Sequence, residues 1–455
     1  MLRRSVPAWL AAHERAILAW LLAAGVGLRV LLVTFSPRPF GYVWDFYDDG
    51  VRILYERGRL PVAGDCWQCY HPPLFYLLGW PFYAFGRWMA PGPDDATALR
   101  WLGALPLICG AVTIYFGYRL LRLFRCRGAS LVLGVALLIT FPCLFISSYG
   151  ADADIVITAI LSALIYYLTR DVALAGRPGS IAALRLGVLS GLAAATKYSG
   201  LLGVASVVAV FGIRTLCGPR RALAVRSSLI VIAACVVLGG WKYFDNMEWY
   251  GAPFHANGTA AVGLSLDGPP SAGMKYEFTT LRLRDLMALA GPNAPAGRLT
   301  DLAIYPSVIT TLHALAWSDM TIFSEPSRHG DPSHPYPAKR VPPIVMRAVL
   351  LLGFVPEVLA IVGLAVTLRR RRLWPVGIVC GLSAAAYLGW FLTQPLWGLK
   401  TKYILFLLLP FVLYVVIGFA WIWRRAPPAV GAAAAVLLAA LILATHVYLL
   451  AFSIG

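Results

Sequence analysis

Charge is what this sequence has least of. Only 13% of its 455 residues are Asp, Glu, Lys or Arg, about half the share of a soluble domain. With 59% hydrophobic residues and a mean hydropathy of +0.72, the chain has too little polar surface to stay in water. It also lacks internal repeats, low-complexity tracts and any stretch that reads as a soluble catalytic domain. Strand-like alternation over about ten residues is missing, which excludes a transmembrane barrel. No cleavable leader is evident: Met1–Arg4 runs into a long apolar helix, read as a retained anchor. His255, His313, His329 and His334 show no metal-ligand spacing and are assigned no role.

What is present is a series of apolar runs of about 18 to 23 residues, separated by short arginine-rich breaks, the pattern of transmembrane helices. The formal charge of +18 does not indicate nucleic acid, because the arginines sit at the breaks. They form the sets Arg3–Arg4, Arg119–Arg127, Arg170–Arg185, Arg214–Arg226, Arg369–Arg372 and Arg424–Arg425. Clusters of this kind mark cytoplasmic ends. Glu14 and Asp171 are the only acids among them, so this face carries the whole basic excess. Contact with anionic lipid follows as a by-product.

Spans are predicted near residues 16–35, 101–120, 130–147, 154–169, 182–196, 199–213, 227–243, 348–368, 373–391, 402–423 and 430–452. The segment Pro72–Ala90 is apolar but broken by Pro72, Pro73 and Pro81. If it crossed the membrane, every later arginine cluster would land outside, so it reads as an interfacial or re-entrant helix. The prediction is an all-α polytopic membrane protein with about eleven crossings and an inside N-terminus. It divides into a module over 1–243 with a first external loop at 36–72, a large external loop over 244–344, and C-terminal helices over 345–455.

On this topology the polar residues of interest lie on the external side. Asp45, Asp48 and Asp49 follow the first span. Three carboxylates so close cannot all ionise comfortably, so at least one pKa is expected to rise. They can act as a base toward a hydroxyl, hold a divalent cation or be a solvated acidic loop. Asp152 and Asp154 sit at the tip of a hairpin, where helix capping is the plain alternative. Lys197, between two short apolar runs, and Arg29, inside the first span, either snorkel or bind phosphate. Lys400 and Lys402 break the inside-positive pattern at an external span end. Glu357, near mid-span, is a functional candidate by position or a partner for a neighbouring helix. Cys66-Trp67-Gln68-Cys69 can form a local disulfide; a Zn site with His71 has only three visible ligands. The remaining cysteines read as packing residues.

Together these pieces resemble the GT-C superfamily of polytopic glycosyltransferases, in particular the protein O-mannosyltransferase and lipid A aminoarabinose transferase branch. The residues carrying the resemblance are Asp45-Phe46-Tyr47-Asp48-Asp49, Gly58-Arg59-Leu60-Pro61 and His71-Pro72-Pro73-Leu74-Phe75-Tyr76. Further along come Asp152-Ala153-Asp154, Ala195-Thr196-Lys197-Tyr198, Trp249-Tyr250-Gly251-Ala252-Pro253-Phe254 and Lys402-Tyr403. The resemblance implies an inverting transferase that moves a sugar from a polyprenyl-phosphate donor to a hydroxyl acceptor at the periplasmic face of a bacterial inner membrane. It implies Asp45 as base with Asp49 the runner-up, and Asp154 as the second acidic position. Lys197, Arg29, Lys402 and Lys400 are the candidates for the donor phosphate. Asp48, Asp152 and His71 are candidates for orienting the acceptor or the loop. No cofactor is certain; Mg or Mn on the first-loop carboxylates is an open option. The competing reading is a transporter or flippase for a polyprenyl-linked glycan, which would show internal hydropathy repeats and several charges deep in spans.

Overall fold

The computed structural model describes residues 2–35, 47–62, 64–66, 68–92, 95–174, 179–217, 221–254, 277–289, 307–318, 341–368, 373–393 and 401–454. Among these, helix accounts for every element apart from one isolated bridge between Glu277 and Ser307.

The first span is α1 (Leu2–Phe35). The first loop holds α2 (Tyr47–Arg57) and α3 (Leu74–Met89), followed by α4 (Ala96–Leu102). The next four helices are α5 (Ala104–Leu123), α6 (Ala129–Thr140), α7 (Pro142–Ser147) and α8 (Ala153–Tyr167), the last continued by a π-wound segment over Leu168–Leu174. Then come α9 (Ser180–Thr196), α10 (Leu201–Cys217), α11 (Arg221–Cys235), a second π segment over Val236–Gly240, and α12 (Trp241–Tyr250). The large loop contributes α13 (Leu283–Leu289) and α14 (Val308–Ser318). The chain closes with α15 (Pro343–Leu352), α16 (Phe354–Thr367), α17 (Trp374–Thr393), a 3-10 segment over Thr401–Leu407, α18 (Leu408–Arg425) and α19 (Pro428–Ile454).

Seven stretches among the described residues are long and apolar enough to cross a membrane: Ala96–Leu123, Ala153–Val172, Tyr198–Leu216, Arg221–Tyr250, Pro343–Thr367, Thr401–Arg425 and Pro428–Ala451. The other expected crossings fall on α1 and on the shorter helices α6–α7, α9 and α17. Two boundaries differ from expectation. The 130–147 span is not one helix: Pro142 offers no N–H and forces Phe141 out of helical geometry, to φ −61° and ψ 115°. The helix expected to end near Tyr243 runs on to Tyr250, where Gly251 stops it with a left-handed φ of 68°.

The core gathers around α5, α6, α8 and α18. The backbones of α16 and α18 approach one another closely. A Cβ on Gly363 would fall on the Tyr414 carbonyl oxygen, and one on Gly418 on that of Leu359. Small residues permit such contact where hydrocarbon supplies no hydrophobic drive between helices.

The two ends of α8 differ in charge. Its N-terminus carries Asp152 and Asp154. At its other end Arg170 and Arg185 pair with Asp171, and Arg119 donates to Tyr166 at 2.9 Å. Sixteen residues separate Asp154 from Arg170, roughly 24 Å of helix, comparable with the thickness of a bilayer core. The acidic tip and the arginine collar thus lie at opposite ends of the bundle, as the arginine distribution predicts.

Candidate active site

Four charged side chains meet at the N-terminus of α8. Asp152 is the N-cap: its Oδ1 accepts the Asp154 backbone N–H at 2.9 Å, which satisfies one of the open donors of the first turn. Capping therefore accounts for one oxygen of Asp152. The other, Oδ2, accepts from Lys402 Nζ at 3.1 Å. Asp154, fully buried, takes Lys197 Nζ on Oδ1 at 2.8 Å and faces Lys402 from Oδ2 at 3.7 Å. Lys197 stands at the C-terminus of α9, where the chain turns extended. Lys402 lies in the 3-10 segment that leads into α18. Two carboxylates and two ammonium groups thus form a compact neutral set drawn from three separated parts of the chain. Burying any one of them alone would be costly; together they compensate one another.

Aromatic rings wall this cluster. Lys197 Nζ lies 4.6 Å from the Tyr403 ring centre and 5.8 Å from that of Tyr47. Tyr47 opens α2 and stacks on His71 at 5.7 Å and 19°. His71, buried, also meets Tyr70 and Tyr198. Tyr198 donates to the Tyr70 carbonyl at 3.0 Å and accepts from Asn246 Nδ2 at 3.0 Å. Asn246 also donates to the Pro253 carbonyl, fastening the Trp249–Phe254 turn to the site. The second half of the first loop is built for this contact. Arg59 grips Asp65 with two bonds at 2.7 and 2.8 Å, Cys66 and Cys69 form a disulfide, and His71 N–H closes the turn onto Gln68. The Gly58-Arg59-Leu60-Pro61 motif is therefore a loop brace, and the Cys-X-X-Cys motif is a disulfide and not a metal site.

Beyond Tyr243, whose hydroxyl donates to the Ala194 carbonyl at 2.9 Å, a purely apolar hollow of about 280 Å³ opens between α9, α10 and α11. Ala194, Leu201, Val204, Ile232 and Val236 line it with Tyr243.

Asp48 and Asp49 occupy the first turn of α2, where the helix dipole favours negative charge. Burial raises the Asp48 carboxyl, Asp49 beside it raises it further and Arg52 pulls the other way; the result is about 6. The Arg52 guanidinium is itself held by Asp95 at 2.6 Å. In the unfolded chain an aspartate loses its proton near 4. Between those values the folded state binds more protons, so stability falls as pH rises through that window and stays reduced above it. Asp48→Asn removes the loss. Its melting temperature should exceed the parent's at pH 7.5 and match it at pH 4; a lower value at pH 7.5 contradicts this account.

Of the other expected site residues, Arg29 is used elsewhere. Its guanidinium donates to the carbonyls of Gly25 at 3.1 Å and Ile139 at 3.0 Å and lies 4.7 Å from the Phe145 ring. The break before Pro142 leaves the α6 carbonyls without helical partners, and Arg29 fills that role. In these contacts Arg29 serves the packing of the first span against α6. Glu357 accepts from Trp317 and pairs with His313 at 2.7 Å, so it joins a loop helix to a span and His313 is not without a role. Asp45, Lys400, His255, His329 and His334 lie outside the described residues. Sequence reasoning missed Asn246, an ordinary polar residue in the α12 helix with no motif to mark it.

No protein-family model matches the chain, and no curated protein does. Solved structures do. Two of the Archaeoglobus fulgidus oligosaccharyltransferase, one in complex with Zn and sulfate and one tethered to an acceptor peptide containing the NVT sequon, align with TM-scores of 0.50 and 0.51. Identity is 14% and 12%, and the alignments cover 95% and 97% of this chain but 53% and 56% of that enzyme. The chain spans little more than half the length of that enzyme. ArnT from Cupriavidus metallidurans bound to undecaprenyl phosphate aligns at a TM-score of 0.37 with 14% identity over 90% of this chain and 81% of that one, too distant to carry weight. In fold, this chain is an all-helical, polytopic membrane protein similar to that oligosaccharyltransferase.

Proposed function

We propose that the protein is an inverting glycosyltransferase that moves a sugar from a polyprenyl-phosphate donor to a hydroxyl acceptor on the external face of a bacterial inner membrane. The observation that carries this reading is the buried Asp152–Asp154–Lys197–Lys402 cluster, set at the end of the bundle away from the arginines and beneath the first loop. Charge, aromatic wall and apolar hollow follow one another from α8 to α11, the order of polarity in a lipid-linked sugar: phosphate, sugar ring, hydrocarbon tail. That a relative in fold is an oligosaccharyltransferase supports this reading.

In this mechanism a first-loop aspartate, Asp45 with Asp49 as the alternative, takes the proton from the acceptor hydroxyl. The hydroxyl oxygen attacks the anomeric carbon in line, the carbon–oxygen bond to phosphate breaks, and polyprenyl phosphate leaves with the electron pair. Lys197 and Lys402, aimed in advance by Asp154 and Asp152, stabilise the charge gathering on that phosphate. Two observations support a mechanism that needs no divalent cation at the Asp152–Asp154 cluster. Asp152 and Asp154 already hold ammonium groups, and no three His, Cys, Asp or Glu among the described residues could share an ion.

The test is release of free polyprenyl phosphate from lipid-linked sugars in a total extract of bacterial membranes, supplied to the purified protein in proteoliposomes, with the sugar passing to an acceptor hydroxyl of the extract or to water. Turnover is expected, and it should survive EDTA. Movement of donor across the bilayer without release would establish the transporter reading instead. Loss of turnover on chelation, restored by Mg or Mn, would overturn the metal-free mechanism.

A further inference from the structure

The large external loop reaches the charged cluster through a relay that the mechanism does not use. His313, on α14, is buried and has both ring nitrogens engaged. Nδ1 meets Glu357 Oε1 at 2.7 Å and Nε2 meets the Leu350 carbonyl at 2.8 Å. The ring thus bridges a side chain of α16 and the backbone of α15. The ring stacks on Phe354 at 3.9 Å and 7°. Trp317, one turn along α14, donates to the same Glu357 oxygen at 3.1 Å. Its indole lies over Gly353, at the joint of α15 and α16, where a side chain would collide with it. At the end of α14, Tyr448 donates to the Ser318 carbonyl at 2.7 Å. Leu312, immediately before His313, has its carbonyl turned the other way, where it accepts the Thr401 hydroxyl at 3.1 Å. Thr401 precedes Lys402, which holds Asp152 and faces Asp154.

We infer that Glu357 and His313 form a positioning pair: they lock α14 to the α15–α16 joint, and α14 in turn fixes the 3-10 segment that aims Lys402. Neither residue touches the cluster; both act through Leu312 and Thr401. The effect on turnover rests on the glycosyltransferase reading above, whereas the mechanical link does not.

Four variants of the full chain test this: Glu357→Gln, His313→Gln, the double variant and Thr401→Val. Each single change should lower kcat for release of polyprenyl phosphate about tenfold while KM for the lipid donor stays within twofold, since the aim of Lys402 is disturbed and not the donor contacts. The double variant should lose no more than either single one, because two glutamines can hydrogen-bond to each other and residues in contact are not additive. Amide exchange measured on the same Glu357→Gln and His313→Gln samples should quicken in residues 401–407 as well as 308–318. Thr401→Val should lower kcat with exchange of 308–318 unchanged. A residue that only stabilised the fold would lower the melting temperature without this pattern. Parent-like kcat in both single variants, or unchanged exchange of 401–407, overturns the inference. If the parent releases no polyprenyl phosphate, the functional reading fails, and the exchange experiment decides the link alone.

Discussion

Asp154→Asn is expected to reduce transfer by about 10²–10³-fold, the scale on which a single preorganised electrostatic group acts. Asp154 is buried, with Lys197 on one carboxylate oxygen and Lys402 facing the other. The amide is nearly the same size but carries no charge, so two ammonium groups are left with Asp152 alone. They lose the partner that aims them and move toward whichever anion is at hand, including the donor phosphate before reaction. Binding of the donor ground state should hold or tighten while kcat falls, because the cations are no longer reserved for the leaving group. Steady-state release of polyprenyl phosphate, normalised to monodisperse folded protein, measures this. Asp152→Asn should fall less, since one of its oxygens serves the α8 cap. A parent-like kcat for Asp154→Asn would remove the cluster from the mechanism.

Lys197→Met should be the most destabilising change in the cluster. Methionine keeps much of the side chain's length and its packing between Tyr47 and Tyr403, but it leaves Asp154 with Lys402 at 3.7 Å. Breaking a buried ion pair from one side costs about 3–5 kcal/mol, mostly for the charge left behind. The sign test is the double variant. Asp154→Asn with Lys197→Met contains no stranded charge and should melt higher than Lys197→Met alone, although it is further from the parent in sequence. Additive destabilisation would mean that the two groups are not coupled in the folded protein.

The helical frame was legible because its signals are local. Apolar length and the placement of arginine follow from a few adjacent residues, and they located most spans to within a turn or two. Pro142 was equally visible, but the apolar run around it continues, and hydropathy does not register a helix break that hydrocarbon tolerates. The candidate site was legible only in part. Asp152, Asp154, Lys197 and Lys402 each stood out as charge at a span end, yet their pairing joins residues up to 250 positions apart, and no spacing rule reports that. The contacts of Arg29 were illegible for a related reason: its carbonyl partner is open to it because the α6 helix stops short 110 residues later. Glu357 was visible as an acid in a span, but its histidine lies in a loop helix without any regular motif, so the pair emerges only from packing.

The bond between Cys66 and Cys69 would, on the proposed orientation, divide maturation between two compartments. On the proposed orientation the thiols can pair only once the loop has been exported, because disulfides persist where the surroundings are oxidising. The Gln68 and Tyr70 carbonyls, which receive the hydroxyls of Tyr76 and Tyr198, lie within and beside the turn that this bond closes. On that orientation, membrane insertion would yield a precursor that an oxidant outside the cytoplasm completes.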